Sequence, residues 1–120
     1  MPRRPAIRAK AVRGPRRHLR YPEQFGFVNE PQFKQGTPPH VAQAVIDQHR
    51  LAQRVHSQMT RDELGWDDIA DSLGVSEEQA RRILRGESEM ALDRMHQLAA
   101  AVGYRLLVQP QPIKPEGTVK

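Results

Sequence analysis

Apolar positions recur with helical spacing through the middle of the chain. A helix over residues 38–57 would carry Val41, Val45, Ala52 and Val55 near one face. Met59, just beyond it, falls near the same face. This period predicts a first amphipathic helix. Thr37 precedes it and is expected to cap it, because a hydroxyl can accept from the unpaired amides of a first turn. Thr60 and Glu63 have the spacing of a capping box and predict that a new turn or short helix begins there.

A second, shorter helix is predicted after Gly65. Its first turn is acidic, which suits the positive end of the helix dipole. Ile69, Ala70 and Leu73 form its apolar face. Gly74 follows at the position where a left-handed backbone often ends a helix.

A third helix is predicted to begin at Ser76, which has Gln79 three residues later in the capping-box arrangement. Its apolar stripe consists of Ala80, Ile83 and Leu84, and Gly86 ends it. A fourth helix is predicted over residues 88–102, with Leu92, Met95, Leu98, Ala99 and Val102 on its apolar side. The segment 104–109 ("YRLLVQ") predicts a strand or a final extended segment, ended by prolines.

The chain outside these helices lacks sustained periodicity. Residues 1–37 are rich in proline and glycine and predict a basic arm and linker, disordered at least to Arg20. Within it, residues 21–33 hold four of the six aromatic residues. We expect this stretch to be a surface lid over the core, with a ligand site as the alternative. Residues 38–109 form the predicted domain, and residues 110–120 are expected to be a disordered tail.

Charge is concentrated at the N-terminus. The net charge is +5 and the pI is about 10.2. Residues 1–20 hold eight of the 19 basic residues and none of the 14 acids, so they carry +8 and the remainder carries −3. Such a segment attracts polyanions by counterion release. We therefore expect it to contact nucleic acid, although a disordered tail that aids solubility is the alternative.

Several classes of function find no support in the sequence. The absence of cysteine excludes disulfides and thiolate zinc sites and fits a reducing cytosol. No apolar run is long enough for a membrane span or follows the basic N-terminus as a secretory signal would require. No nucleophile has a partner histidine in motif spacing, and His49 and His56 lack a third metal ligand. We expect a cytoplasmic protein that is not an enzyme and has no cofactor, metal or membrane partner.

The three-residue corner Gly74-Val75-Ser76 is short enough to make the third helix cross the second steeply, as in a helix-turn-helix. Ala70 is small enough for the third helix to pack over it. Val75 would fill the corner, and Ile83 would anchor the third helix in the core. The outer face of that helix then carries Glu77, Glu78, Arg81, Arg82 and Arg85.

The stretch "IADSLGVSEEQARRILRGESEMALDRMHQLAAAVGYRL" resembles the Cro and lambda-repressor class of helix-turn-helix domains, often called the XRE family. The resemblance covers about residues 38–108, and its motifs are Ala70 with Gly74, Val75, Ile83 and Arg85-Gly86. "GWDDIADSLGVS" is similar to openings found in actinobacterial and actinophage regulators. The resemblance implies an all-α fold: a small lambda-repressor-like helix-turn-helix bundle of four to five helices.

The resemblance also implies where DNA would be read. The family's base-reading positions correspond to Ser76, Glu77, Glu78 and Gln79, with Arg81 and Arg82 one turn later. Two adjacent glutamates depart from the family's usual residues. They could accept from cytosine N4, or simply favour a helix N-terminus. Arg81, Arg82 and Arg85 could grip guanine or phosphate, or form a solvated face paired with Glu77, Glu78 or Glu89.

The arginines of the arm and Trp66 are further candidates for contact with DNA. The basic residues of the arm that we expect to track DNA are Arg3, Arg4, Arg16, Arg17 and Arg20. Trp66 could donate its indole N–H to a phosphate, but packing in or around the core is the preferred interpretation.

The sequence thus predicts a sequence-specific double-stranded DNA-binding regulator, a repressor of phage or bacterial origin. We expect a homodimer on an inverted repeat, formed through residues 104–109 and the fourth helix, unless the arm supplies enough affinity to a monomer. An antitoxin-like module that neutralises a partner protein is the alternative. A third option is a packer of nucleic acid without sequence preference.

Overall fold

The computed structural model describes residues 11–113, and these contain four α-helices and no strand. The helices are α1 (Pro39–Arg61), α2 (Trp66–Leu73), α3 (Glu77–Leu84) and α4 (Leu92–Ala101). Two short 3-10 turns precede them, at Pro15–His18 and Pro22–Gln24. The prediction of an all-α fold is confirmed for this part of the chain. Among these residues, no helix combines the length and apolarity that crossing a membrane requires.

The first helix is longer than the sequence predicts, and the capping roles predicted for Thr37, at its start, and for Thr60, at the start of a new turn, are both wrong. Thr60 lies inside α1, where its hydroxyl donates to the His56 carbonyl at 3.2 Å, so it caps no new helix. α1 ends where Glu63 adopts a left-handed conformation, with φ of 53°. At the other end, Pro38 is the N-cap, and the Thr37 hydroxyl donates to the Lys34 carbonyl at 2.7 Å instead.

The α2 and α3 boundaries agree with their local sequence signals. The Asp68 carboxylate accepts from the Gly65 amide at 2.8 Å and closes the first turn of α2. Gly74 ends α2 in the left-handed conformation, with φ of 67° and ψ of 34°. Ser76 is the N-cap of α3, and its hydroxyl oxygen accepts from the Gln79 amide at 3.1 Å. Only residues 74–76 separate the two helices.

The core lies where α2 packs against α3 and α4, and where α1 packs against α4. Fully buried apolar side chains come from all four helices: Ala52, Val55, Ile69, Ala80, Leu84 and Leu98. α4 begins four residues later than predicted, at Leu92, and residues 88–91 lead into it without helical structure. Met90 in that approach is buried, and its amide donates to the side-chain oxygen of the buried Gln48 at 2.9 Å.

The N-terminal segment (residues 11–37) packs against the helices, so the prediction of largely disordered chain up to residue 37 is wrong for these residues. Leu19 is fully buried and Phe25 is 1% exposed, both within the common core. Burying two large side chains stabilises an ordered segment even without periodic structure. The expected lid over residues 21–33 is thus present, with Phe25 inserted into the core. The predicted site residues Arg3 and Arg4 lie outside the described residues.

Paired backbone groups hold the N-terminal segment in a closed loop. The Arg20 amide donates to the Gln32 carbonyl at 2.8 Å, and the Lys34 amide donates to the His18 carbonyl at 2.9 Å. These bonds flank an isolated antiparallel bridge between Leu19 and Phe33. These bonds tie residues 18–20 to residues 32–34, while Leu19 between them is buried in the core.

The segment after α4 forms no strand within the described residues, which corrects one of the two predictions for 104–109. Tyr104 fastens its start: its amide donates to the Ala99 carbonyl at 2.9 Å, and its ring lies 5.1 Å from the guanidinium of Arg54. Leu107 and Val108 are exposed. Residues 110–113 are exposed as well, and residues 114–120 of the predicted tail lie outside the described chain.

Candidate nucleic-acid interface

α3 presents a charged face to solvent, as its sequence predicts. Its apolar side is buried through Ala80, Ile83 and Leu84. The opposite side carries five exposed charged residues: Glu77, Glu78, Arg81, Arg82 and Arg85. Because the helix is only eight residues long and buried along one stripe, these side chains form a single continuous surface.

The uncharged members of the predicted site have local roles at the start of α3. Ser76 is exposed and its hydroxyl oxygen accepts from the Gln79 amide, so it is engaged as a cap. The Gln79 side chain is half-buried and lines an open groove between α3 and α4, together with Arg94 and Gln97. The structure therefore separates Gln79, turned towards α4, from the charged outer face.

Arginines and glutamates on α3 pair one helical turn apart. Arg82 donates to the Glu78 carboxylate at 2.8 Å, and the nitrogen of Arg81 lies 3.8 Å from the Glu77 carboxylate. The paired solvated face, one of the two interpretations open from sequence, is the arrangement observed. Each such exposed pair contributes only about 0.3–0.5 kcal/mol to stability, so partners of higher affinity could replace either carboxylate.

Arg81 is also held against α2. Its guanidinium carbon lies 5.5 Å from the centroid of the Trp66 ring, within range of a cation–π contact. Trp66 itself is partly buried and packs against the core. Its preferred role as a packing residue is thus confirmed, and Arg81 is drawn towards α2.

Arg85 points to the loop that follows α3. Its Nε lies 2.7 Å from one oxygen of Glu87, and the other oxygen of Glu87 lies 3.9 Å from Arg16. Arg17 donates to Glu89 at 2.6 Å and to the Gly14 carbonyl at 2.9 Å. Arginines of the N-terminal segment therefore meet the acidic loop directly after α3, a juxtaposition that sequence reasoning missed.

Two glycines allow this close approach of the N-terminal segment. A Cβ on Gly14 would lie 2.4 Å from the carbonyl carbon of Glu87, and one on Gly86 would lie 2.6 Å from the Phe25 ring. The Arg16 amide donates to the Gly86 carbonyl at 3.1 Å. Gly14 therefore lies beside the C-terminal end of α3.

The surface formed by α3, its following loop and this anchored stretch is nearly neutral. We call it the arginine–glutamate patch; its cations are Arg16, Arg17, Arg81, Arg82 and Arg85, and its anions are Glu77, Glu78, Glu87 and Glu89. All five arginines lie within 4.0 Å of a carboxylate. The positive excess belongs elsewhere in the arm, to exposed Arg13 and Arg20 and to four basic residues before Ala11.

Of the two histidines considered as metal ligands, His49 is fully buried and has a structural role. Its Nδ1 accepts from the Gly26 amide at 2.8 Å, and its Nε2 donates to the Val28 carbonyl at 2.6 Å. Burial lowers the pKa of His49 and keeps the ring neutral, which this pair of bonds requires. His56 stacks on Phe27 at 4.6 Å, and burial lowers its pKa as well.

Within residues 11–113 no three histidine or acidic side chains converge as metal ligands would.

Comparison with protein-family models, with curated proteins and with solved structures finds no match to this chain. The candidate site therefore consists of the exposed surface of α3 and the residues beside it.

Proposed function

We propose that this protein binds double-stranded DNA with sequence preference, as a transcriptional regulator, with α2 and α3 acting as a helix-turn-helix. α3 would enter the major groove while the basic arm follows the backbone or the adjacent minor groove. One observation carries the proposal: the anchoring of Arg16 and Arg17 on the loop after α3. It starts the cationic arm at the same surface that α3 presents.

The charge distribution supports a division of tasks between the two parts. The arginine–glutamate patch is nearly neutral and so gains little from phosphates in general. The part of the arm before Gly14 has five basic residues and no acid in its sequence, and it would supply the attraction that does not depend on sequence. Contacts of α3 with bases would specify a site, and contacts of the arm with phosphates would position the protein on it.

The resemblance of residues 38–108 to the Cro and lambda-repressor class supports the more specific proposal of a repressor of phage or bacterial origin. A single short recognition helix makes few base contacts, so we propose that two copies bind together. Leu107 and Val108 are exposed, and the backbone of residues 105–109 makes no backbone hydrogen bond within residues 11–113, which favours this segment as the dimer contact.

Selection of bound duplexes from a random library, read by sequencing, tests the proposal. The full chain is expected to enrich a defined motif, arranged as an inverted repeat if two copies bind. A variant lacking residues 2–10 loses four cations and should enrich the same motif with weaker affinity. The dependence of its binding constant on salt should be shallower, by up to roughly 3–4 in logarithmic slope.

The deletion must stop at residue 10, because Pro15 and Leu19 belong to the buried part of the protein. Two results would contradict the proposal. Enrichment without any motif would indicate binding by the arm alone, as in a nucleic-acid packer. No binding to any duplex would remove DNA from the function altogether.

One observation favours a second candidate, a protein-binding module such as an antitoxin. Every arginine of the α3 face already has a carboxylate partner, while several apolar side chains are exposed: Phe27, Leu92, Leu107 and Val108. Exposed apolar groups are typical of protein contact sites. Repeating the selection with Arg82→Lys distinguishes this candidate, because a protein-binding module predicts that any DNA binding that remains does not depend on α3 residues.

A further inference from the structure

We propose that Glu78 and Arg82 act together as a reading pair for neighbouring C·G base pairs. Arg82 would donate to guanine, while Glu78 holds the guanidinium in place and accepts from the amino group of cytosine. The proposal rests on the function proposed above and names the class of duplex that the same surface prefers.

Arg82 is the arginine of α3 whose guanidinium is least committed to the rest of the protein. Arg81 lies over the Trp66 ring, and Arg85 is bonded to Glu87 in the loop that the N-terminal segment covers. Arg82 is bonded to Glu78 alone among the described residues, through Nη2, and its side chain is 50% exposed. Its remaining N–H donors can therefore grip the O6 and N7 acceptors of guanine.

Glu78 is the most exposed carboxylate of the arginine–glutamate patch, at 71%. One of its oxygens accepts from Arg82 at 2.8 Å, and no donor within residues 11–113 is bonded to the other, which can accept a further bond. A carboxylate brought into a groove is repelled by phosphates unless a donor meets it. Among base edges in the major groove, the cytosine amino group is a donor whose acceptor partner in proteins is Asp or Glu.

The ion pair also prepares Arg82 for binding. A free arginine loses much side-chain freedom when it binds, whereas the bond to Glu78 restricts the guanidinium in advance. α3 is itself fixed by its Ser76 cap and by Ile83 in the core, so both groups project from a rigid support. Glu78 is thus a positioning residue for Arg82 and a base contact in its own right.

Glu77 provides the matched control on the same helix turn. Its carboxylate lies 3.8 Å from Arg81, which is held against Trp66, so Glu77 does not orient a free arginine. Glu77→Gln and Glu78→Gln remove the same charge from adjacent exposed positions. Any effect of charge alone on affinity should be similar in the two variants.

The experiment repeats the duplex selection with E78Q, E77Q and R82K, each in the full chain. The wild-type protein is expected to enrich a motif with neighbouring C·G base pairs. E78Q should lose the discrimination at those pairs by roughly tenfold, while E77Q keeps it. R82K keeps the charge but lacks the planar fork, so it should lose the preference for guanine while binding random duplex as the wild type does.

The outcomes separate this inference from the proposed function. A wild-type motif without C·G pairs, or an E78Q variant with an unchanged motif, would overturn the reading pair and leave DNA recognition standing. Equal loss of the motif in E77Q and E78Q would also overturn it, because a general charge effect would then be responsible. Absence of binding to any duplex would overturn both proposals. Circular dichroism and thermal melting check that each surface variant is folded.

Discussion

At the scale of single residues, His49 decides how the N-terminal segment is attached to α1. Its two ring nitrogens have different tasks, since Nδ1 accepts from the Gly26 amide and Nε2 donates to the Val28 carbonyl. Only the neutral ring with its proton on Nε2 can make both bonds. This ring also makes a T-shaped contact with Phe25 at a centroid distance of 5.7 Å, and His49 is fully buried, so water does not compete for its bonds.

This arrangement predicts that stability falls as the solution becomes more acidic. Burial lowers the pKa of His49 below its ordinary value of 6.5, so the unfolded chain takes up a proton that the folded protein excludes. The stability that neutral His49 contributes is therefore fully present above about pH 6.5, and it is lost progressively as pH falls towards the lowered pKa. Urea unfolding between neutral and acidic pH measures the decline.

His49→Gln separates this effect from other titrations. Glutamine can accept and donate without taking up a proton, so H49Q should show a shallower loss of unfolding free energy below pH 6.5. His96→Gln, at an exposed position of α4, controls for removal of an imidazole. Identical slopes in wild type and H49Q would contradict the assignment.

At the scale of elements, α3 is short and depends on its ends. An isolated helix of eight residues would not be stable in water, so burial of one stripe and satisfaction of the terminal amides must maintain it. Ser76 provides the cap at one end, and Gly86, with φ of 78°, allows the chain to turn away at the other. The rigidity of the α3 surface proposed to read DNA therefore depends on the structure at both of its ends.

Ser76→Ala is expected to destabilise the protein by about 1 kcal/mol, because it leaves the Gln79 amide without its acceptor. The free energy of unfolding from urea titration gives the value. Ser72→Ala, on the exposed side of α2, removes a hydroxyl that caps nothing and should change stability little. If the two variants lose equal free energy of unfolding, the Ser76 cap stabilises the protein no more than an ordinary surface hydroxyl does.

Among the elements, the sequence predicted best those whose signals are local. Gly74 and Ser76 mark the α2–α3 turn through interactions within four residues, so their roles could be deduced without the fold. Thr60 was misread because a capping pattern also arises by chance inside a longer helix, where its hydroxyl bonds back to the preceding turn. The start of α4 shifted because buried Met90 binds Gln48, a partner distant in sequence.

At the scale of the whole molecule, the N-terminal segment is part of the folded body. Its apolar residues, Pro15, Leu19 and Phe25, are buried singly from turns and a bridge, without a helical or strand period. A search for periodicity therefore finds nothing there, and the high proline and glycine content adds to the impression of disorder. Tight turns at Gly14 and Gly26 explain the same composition differently.

Two truncations test this boundary. A variant lacking residues 2–20 should have a lower thermal midpoint than one lacking residues 2–10, because loss of buried Leu19 alone costs roughly 2 kcal/mol. The longer deletion also removes the bond from the Arg16 amide to the Gly86 carbonyl beside α3. Differential scanning calorimetry of the two proteins decides the matter. Equal midpoints would indicate that residues 11–20 do not stabilise the domain and belong to an unattached arm.

The sequence by itself determined the all-helical body, the α2–α3 turn with its caps, and the exposed charged face of α3. Each depends on residues within about one or two helical turns, whose physical preferences act locally. Only the tertiary structure decided that Arg17 pairs with Glu89, 72 positions away, and that Glu87 lies between Arg16 and Arg85. Such contacts follow from the packing of Gly14 against the loop after α3, and no local pattern encodes a neighbour so distant along the chain.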